Sequence, residues 1–230
     1  MVQLPKVIGH RGAPAYVAEN TLDSFREARQ RGATWVETDV KLTADGVPIL
    51  MHDASLKRTT GVDRLVAQTR LADLPKGVPT FEAAIDCFRE LGLGCNVEIK
   101  PCEGREAETG RVVVETLRRC WPAALPAPLL SSFKDVSLRA ARETAPEFSR
   151  AILIDTLEDD WLSRAKAVAA VGVNTNGKKL TAPRAVEVRK EGYLLSVYTI
   201  NDGDVARALV GMGAHCVITD APDVIISALC

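Results

Sequence analysis

The chain has 230 residues, with 29 Lys and Arg against 30 Asp and Glu, a formal net charge of −1 and 47% hydrophobic residues. This composition is ordinary for a folded globular protein, and the near-neutral charge gives no electrostatic reason to expect nucleic acid binding. Since no run approaches about 18 consecutive apolar residues, no transmembrane helix is expected.

Short apolar, β-rich runs alternate with helical patterns along the whole chain. The predicted strands, in chain order, are 6–9, 35–42, 47–51, 95–99, 129–132, 151–154, 172–175, 194–200 and 216–219. The predicted helices are 21–31, 80–91, 105–121, 134–144, 157–171, 181–191 and 202–212.

Taking 35–42 and 47–51 as one strand with a hairpin return leaves eight β-then-α units. Strands that alternate with helices predict a parallel sheet, and eight units in this length predict a closed (β/α)₈ TIM barrel. A doubly wound open sheet is the alternative, but the first turn, Gly9-His10-Arg11-Gly12, lacks the G-x-G-x-x-G pattern typical of that fold. We therefore predict one domain over residues 1–230, with a small insertion at about 53–78, where the alternation weakens.

The six cysteines include no Cys-x-x-Cys pair and no zinc-ligand spacing. The first residues also lack the basic-then-apolar layout of a secretion signal. We therefore expect reduced thiols in a cytoplasmic protein.

Three acidic residues lie in the predicted second and third barrel strands. Glu37 and Asp39 are two residues apart, so both project from one face of their strand, and Glu98 stands two residues before Lys100. Three carboxylates crowded inside a barrel repel one another unless a cation lies between them, and oxygen ligands favour Mg²⁺ or Ca²⁺ over zinc. The spacing leaves two interpretations open, a divalent-cation site and a structural ion pair with Lys100 or Arg11.

Two of the three histidines, His10 and His52, end predicted strands beside these carboxylates. A single histidine at such a position is more often structural, but a pair can supply one acid and one base near neutral pH. The third, His215, precedes an apolar strand and is predicted to be structural.

These residues belong to a series of ordered motifs. In chain order the motifs are His10-Arg11-Gly12, Glu19-Asn20-Thr21, Glu37-x-Asp39, Asp45-Gly46, His52-Asp53, Arg58-Thr59-Thr60-Gly61, Val97-Glu98-Ile99-Lys100 and Ile218-Thr219-Asp220-Ala221-Pro222. From residue 7 to about 225 the series resembles the glycerophosphodiester phosphodiesterase family, whose members have a TIM-barrel fold.

Carried over position by position, the resemblance implies that Glu37, Asp39 and Glu98 bind one divalent cation, Mg²⁺ or Ca²⁺. It also implies that His10 and His52 are the acid–base pair of catalysis.

The resemblance further implies that Arg11 contacts the substrate phosphate, with Lys100 nearby. Tyr198 stands where many relatives have tryptophan, so it is expected to form part of the wall of the substrate pocket. The implied activity is hydrolysis of small glycerophosphodiesters, such as glycerophosphocholine or glycerophosphoethanolamine, to sn-glycerol 3-phosphate and an alcohol.

Two other functions stay open from the sequence. A lysophospholipase D-type enzyme of the same fold would need an apolar groove, which the insertion could line with Leu56, Val62, Leu65, Val66 and Leu71. A non-catalytic phosphate-binding barrel is the second, although both histidines and all three carboxylates are retained.

No serine or cysteine lies in a recognisable nucleophile motif, so a covalent phosphoenzyme is not suggested. The nucleophile is then water or a hydroxyl of the substrate. We hypothesise that the neighbouring glycerol hydroxyl attacks phosphorus, giving a cyclic phosphate that water then opens.

Overall fold

The computed structural model describes residues 2–229, in which strands and helices alternate. The strands are β1 (Val7–Gly9), β2 (Trp35–Leu42), β3 (Pro48–Leu50), β4 (Gly94–Ile99), β5 (Leu129–Ser132), β6 (Ser149–Ile154), β7 (Gly172–Asn176), β8 (Leu194–Tyr198) and β9 (Cys216–Thr219). The α-helices are α1 (Leu22–Gln30), α2 (Lys57–Thr60), α3 (Phe81–Leu91), α4 (Glu106–Cys120), α5 (Asp135–Thr144), α6 (Trp161–Ala167), α7 (Ala182–Lys190), α8 (Gly203–Gly211) and α9 (Pro222–Leu229).

All strands except β3 run parallel and close into a barrel. Around the ring the strands follow the order β1, β9, β8, β7, β6, β5, β4 and β2, and pairing of Gly9 with Val36 joins the last strand to the first. Each barrel strand is followed by a helix before the next barrel strand begins, including α9 after the last one. The predicted (β/α)₈ barrel is therefore confirmed.

Strand β3 returns the chain to the barrel mouth. It pairs antiparallel with the end of β2, with Val40 opposite Leu50, and the Met51 N–H then donates to the Asp39 carbonyl at 3.0 Å. The hairpin therefore returns the chain to Asp39 in the barrel wall, and His52 follows directly after Met51.

The segment between β3 and α3 has a small apolar core of its own. Leu56 and Val66 are fully buried there, packed in one cluster with Met51 from the end of the hairpin. By contrast, Leu65 and Leu71 are exposed.

A cluster of buried apolar side chains fills the barrel beneath its mouth. These buried residues are Ile8, Trp35, Leu129, Ala151, Cys216 and Ile218. The Trp35 indole needs a glycine on the neighbouring strand, because a Cβ on Gly94 would lie 2.3 Å from a ring atom. The barrel interior is therefore packed with side chains below the mouth, as is usual for this fold.

The helix predicted at 157–171 is shorter in the structure, where α6 covers Trp161–Ala167. The fully buried Trp161 begins it, and Ala169 has a φ of 50°, in the left-handed region, so the helical path cannot continue there.

Within the described residues, no helix combines the length and the apolar character that a membrane crossing requires. Five cysteines are free thiols, namely Cys87, Cys95, Cys102, Cys120 and Cys216. Cys230 lies outside the described residues.

Candidate active site

A cavity of about 230 Å³ lies at the carboxyl ends of the barrel strands. Seven of the eight residues singled out from the sequence line it, and these are His10, Arg11, Glu37, His52, Glu98, Lys100 and Tyr198. The eighth, Asp39, is fully buried next to Glu37 and Glu98. The fold thus brings together side chains that are up to 188 residues apart in the sequence.

The three carboxylates form one cluster. An oxygen from each of Glu37, Asp39 and Glu98 lies within 4.8 Å of the other two, and all three residues are buried. Burial and then the neighbouring Asp39 raise the pKa of Glu98 to about 7, and the same two causes raise the pKa of Glu37 well above its usual range. Glu37 Oε1 has no hydrogen-bond partner among the described residues. An all-oxygen cluster that resists full ionisation and keeps a free oxygen fits a hard divalent cation.

Two basic groups also contact these carboxylates. Lys100 Nζ lies 2.7 Å from Glu98 Oε1 and 3.2 Å from Asp39 Oδ1, and Arg11 Nε lies 3.1 Å from Asp39 Oδ2. Burial acts to raise the pKa of Asp39, but Lys100 and Arg11 outweigh it and hold that pKa below its usual range. The ion pairs with Lys100 and Arg11, one of the two interpretations left open by the sequence, are therefore present, and the divalent cation belongs to the proposed function.

A tight turn after β1 positions the first histidine and arginine. Arg11 has a φ of 51°, in the left-handed region that residues other than glycine seldom adopt, at a cost of about 1 kcal/mol or more. Its N–H donates to Glu37 Oε2 at 3.0 Å, and its carbonyl accepts from Asn20 N and Ser24 Oγ at 3.0 Å each. These bonds fix the turn against the Glu37 carboxylate.

His10 has a carboxylate partner that the sequence analysis did not identify. Its Nδ1 lies 2.7 Å from Asp220 Oδ1, while its Nε2 lies 4.0 Å from Glu37 Oε2. Asn201 Nδ2 donates to the other Asp220 oxygen at 2.7 Å. Burial acts to raise the pKa of Asp220, but hydrogen bonds from His10 and Asn201 lower it overall. The imidazole is therefore held with Nε2 directed toward the carboxylate cluster.

His52 has a comparable partner in the next residue. Its Nδ1 lies 2.7 Å from Asp53 Oδ1, and Arg58 Nε donates to Asp53 Oδ2 at 2.6 Å. Arg58 also makes two hydrogen bonds to Glu19, which in turn accepts from Arg11. Arg58 thus ties the segment after β3 to the β1–α1 loop beside the cavity.

Replacing Arg58 by methionine should lower the free energy of unfolding at pH 7 by about 1 kcal/mol, the upper end for an exposed ion pair. The hydrogen bond from Arg58 is the main cause that lowers the pKa of Asp53 to about 2, so this contribution is complete above the unfolded pKa near 4. It is lost as the pH falls through the folded value. Urea unfolding between pH 7 and pH 2 should show the two proteins converging below about pH 4.

The matched control is Arg26→Met, because among residues 2–229 Arg26 forms its ion pair only with Asp23, on the exposed surface of α1. A difference between wild type and Arg58→Met that stayed constant down to pH 2 would show that the carboxylate pairing does not stabilise this segment.

His215 lies away from the cavity. Its Nδ1 accepts the Leu195 N–H at 2.9 Å, and its Nε2 contacts the Arg189 guanidinium. These contacts join β8, the β9 entry and α7, which supports the prediction of a structural role.

Two buried groups in the cavity wall were also missed. Asn96 and Ser131 project into the barrel on the same face as Glu98, and both line the cavity. The signal was present, because Asn96 precedes Glu98 by two residues, but a neutral side chain in a strand did not stand out.

The chain is similar to known proteins over most of its length. The model of the glycerophosphoryl diester phosphodiesterase family matches residues 10–224. A glycerophosphodiester phosphodiesterase of Bacillus subtilis is 27% identical, over 94% of this chain and 83% of its own.

Among solved structures, an Oleispira antarctica phosphodiesterase in complex with the product sn-glycerol 3-phosphate superposes with a TM-score of 0.95 and 36% identity, over 98% of this chain and 97% of its own. A glycerophosphodiester phosphodiesterase from Thermotoga maritima gives a TM-score of 0.81 at 25% identity, with 98% of each chain covered.

Proposed function

The chain belongs to the glycerophosphoryl diester phosphodiesterase family, and we propose that the 230 Å³ cavity is where it hydrolyses glycerophosphodiesters. The family resemblance of the motifs is thereby confirmed, and the chain is an enzyme of this class. The proposed substrates are small diesters such as glycerophosphocholine and glycerophosphoethanolamine, and the proposed products are sn-glycerol 3-phosphate and an alcohol.

One observation carries the proposal. Two of the three clustered carboxylates, Glu37 and Glu98, line the same cavity as two histidines that each have a carboxylate partner of their own. Three carboxylates with Arg11 and Lys100 leave a formal charge of −1, which would repel an anionic diester. A divalent cation held by Glu37, Asp39 and Glu98 reverses that sign, so the site is suited to a phosphodiester only with the cation bound.

When bound, the cation supplies Lewis acidity toward a phosphate oxygen and a hydroxyl. Its identity as Mg²⁺ or Ca²⁺ is part of the proposal and rests on the oxygen-only ligands. Arg11 and Lys100, already ordered by the carboxylates, provide further positive charge facing the phosphate.

The two histidines divide the proton transfers between them. One accepts the proton of the attacking hydroxyl, and the other donates a proton to the leaving alcohol oxygen, which as an alkoxide is a poor leaving group. Asp220 and Asp53 each bind Nδ1 of their histidine, so Nε2 remains for this exchange in both. The roles are then exchanged when water opens the cyclic phosphate.

The structure supports small diesters over lysophospholipids. Of the five apolar residues considered for an acyl groove, none lines the cavity, and Leu56 and Val66 are buried in the core beneath their segment. The whole chain is proposed to act as one barrel domain with an insertion at about 53–78, and its cytoplasmic location remains a prediction.

The test is product identification. Purified protein with Mg²⁺ should convert sn-glycero-3-phosphocholine to sn-glycerol 3-phosphate and choline, a conversion that phosphorus NMR can monitor. It should act more slowly on lysophosphatidylcholine. His10→Ala protein prepared in parallel excludes a contaminating enzyme. Faster release of lysophosphatidic acid would favour the lysophospholipase D alternative, and phosphate binding without any turnover would favour a non-catalytic barrel.

A further inference from the structure

Two polar side chains in the cavity wall are buried without a hydrogen-bond partner among residues 2–229. Asn96 Oδ1 and Ser131 Oγ are the atoms concerned, and their residues are 1% and 0% exposed. Buried polar atoms in folded proteins nearly always have partners, because an unpaired one lowers stability. Two such atoms facing one cavity therefore point to a ligand group that completes their hydrogen bonds.

The strand register places both atoms beside the carboxylate cluster. Asn96 in β4 pairs in register with Glu37 in β2, and Ser131 in β5 pairs with Glu98 in β4. In-register residues of adjacent parallel strands project on the same side, roughly 5 Å apart. The two polar groups therefore lie directly next to the groups that would hold the cation and the phosphate.

The chemistry of the pair selects a hydroxyl. A side-chain amide oxygen accepts a hydrogen bond, and a serine hydroxyl can donate or accept, so one alcohol group can satisfy both. The same cavity is also lined by apolar side chains, those of Leu153, Phe133 and Ile218. A short carbon chain that carries hydroxyls matches a cavity lined by both polar and apolar groups.

We propose that Asn96 and Ser131 form a subsite for the terminal, C1 hydroxyl of the substrate's glycerol. This assignment rests on the proposed function, which places the phosphodiester at the carboxylate cluster. The C2 hydroxyl, next to the esterified carbon, is then left free to attack phosphorus.

The glycerol end is the part of the substrate that suits this position. Every glycerophosphodiester carries the same glycerol, whereas the alcohol varies, and a choline ammonium has no proton to donate to Asn96 Oδ1. Neighbouring cavities of about 340 and 330 Å³, which share His52 and His10 with the central one, leave room for the variable alcohol.

The test compares sn-glycero-3-phosphocholine with 2-hydroxypropyl phosphocholine, which lacks only the terminal hydroxyl. Wild type should prefer the natural diester in kcat/KM by roughly 10- to 100-fold, the range expected when one buried hydrogen-bonded hydroxyl is missing. In Ser131→Ala and in Asn96→Leu the preference should fall to within about threefold, because the natural diester loses its advantage. Either variant suffices if the other fails to fold.

Asn174→Leu is the matched control. Asn174 Nδ2 is also buried without a partner among the described residues, but Asn174 is not part of the cavity wall. This variant should keep the wild-type preference, and Ser131→Ala should be at least as resistant to urea as wild type.

Equal kcat/KM for the two diesters in wild type would overturn the proposal, as would an equal loss on both diesters in Ser131→Ala. Calorimetry with sn-glycerol 3-phosphate and 2-hydroxypropyl phosphate, in Mg²⁺, makes the same comparison without turnover. If wild type does not hydrolyse the natural diester, the proposed function fails, and this binding preference still decides whether the subsite exists.

Discussion

Replacing His10 or His52 by alanine is expected to lower kcat for glycerophosphocholine by about 10²- to 10⁴-fold, the usual effect of losing a general acid or base. Both imidazoles line the cavity, and each is oriented through Nδ1 by a carboxylate, Asp220 or Asp53. Neither belongs to the apolar core, so both variants should fold with near wild-type stability. Steady-state kinetics and urea unfolding on the same samples separate a loss of catalysis from a loss of stability.

His215→Ala is the control for this pair, because its contacts lie with Leu195 and Arg189 outside the cavity. Its kcat should stay within a few-fold of wild type. A loss with His215→Ala as large as with His52→Ala would mean that the division of the three histidines is wrong.

A substrate without the C2 hydroxyl should bind but not turn over. In 3-hydroxypropyl phosphocholine the group proposed to attack phosphorus is replaced by hydrogen, while the phosphate and the terminal hydroxyl remain. A tethered hydroxyl reacts with an effective molarity that can reach about 10⁵ M or more, so its removal should reduce hydrolysis below detection. Inhibition of glycerophosphocholine hydrolysis by the analogue would demonstrate binding.

The analogue without the C1 hydroxyl is the internal comparison, because it keeps the attacking group. It should turn over, more slowly than the natural diester. Hydrolysis of 3-hydroxypropyl phosphocholine at nearly the natural rate would establish direct attack by water in place of a cyclic phosphate.

The barrel strands could be predicted because their apolar runs are short and separated by helical patterns. Most strand and helix ends fall within two residues of the prediction. The helix α6 was predicted too long, because its ends depend on burial of Trp161 and on the left-handed Ala169, which are tertiary effects. The last helix, α9, is only eight residues long and was not predicted.

The carboxylate cluster was accessible to sequence reasoning because a period of two places Glu37 and Asp39 on one face. The contacts of His10 and of Arg58 were less accessible to sequence reasoning. Asp220 reaches His10 across 210 residues, and the Arg58–Glu19 pair forms only because the segment after β3 folds over the β1–α1 loop. Contacts of this kind depend on barrel closure, and no local pattern in the chain encodes them.

In the proposed function, Glu37, Asp39 and Glu98 hold a divalent cation that hydrolysis requires. Glu37→Gln is the sharpest variant, because it removes one anionic ligand while its amide oxygen can still accept the Arg11 N–H that fixes the turn. It should need a higher cation concentration for half-maximal activity than wild type.

The deciding measurement is the hydrolysis of sn-glycero-3-phosphocholine by wild-type protein in excess chelator and after Mg²⁺ or Ca²⁺ is restored, with elemental analysis of the same samples. The expected result is no turnover in chelator and full recovery with either Mg²⁺ or Ca²⁺. Full turnover in chelator, by protein in which elemental analysis finds no metal, would contradict the account.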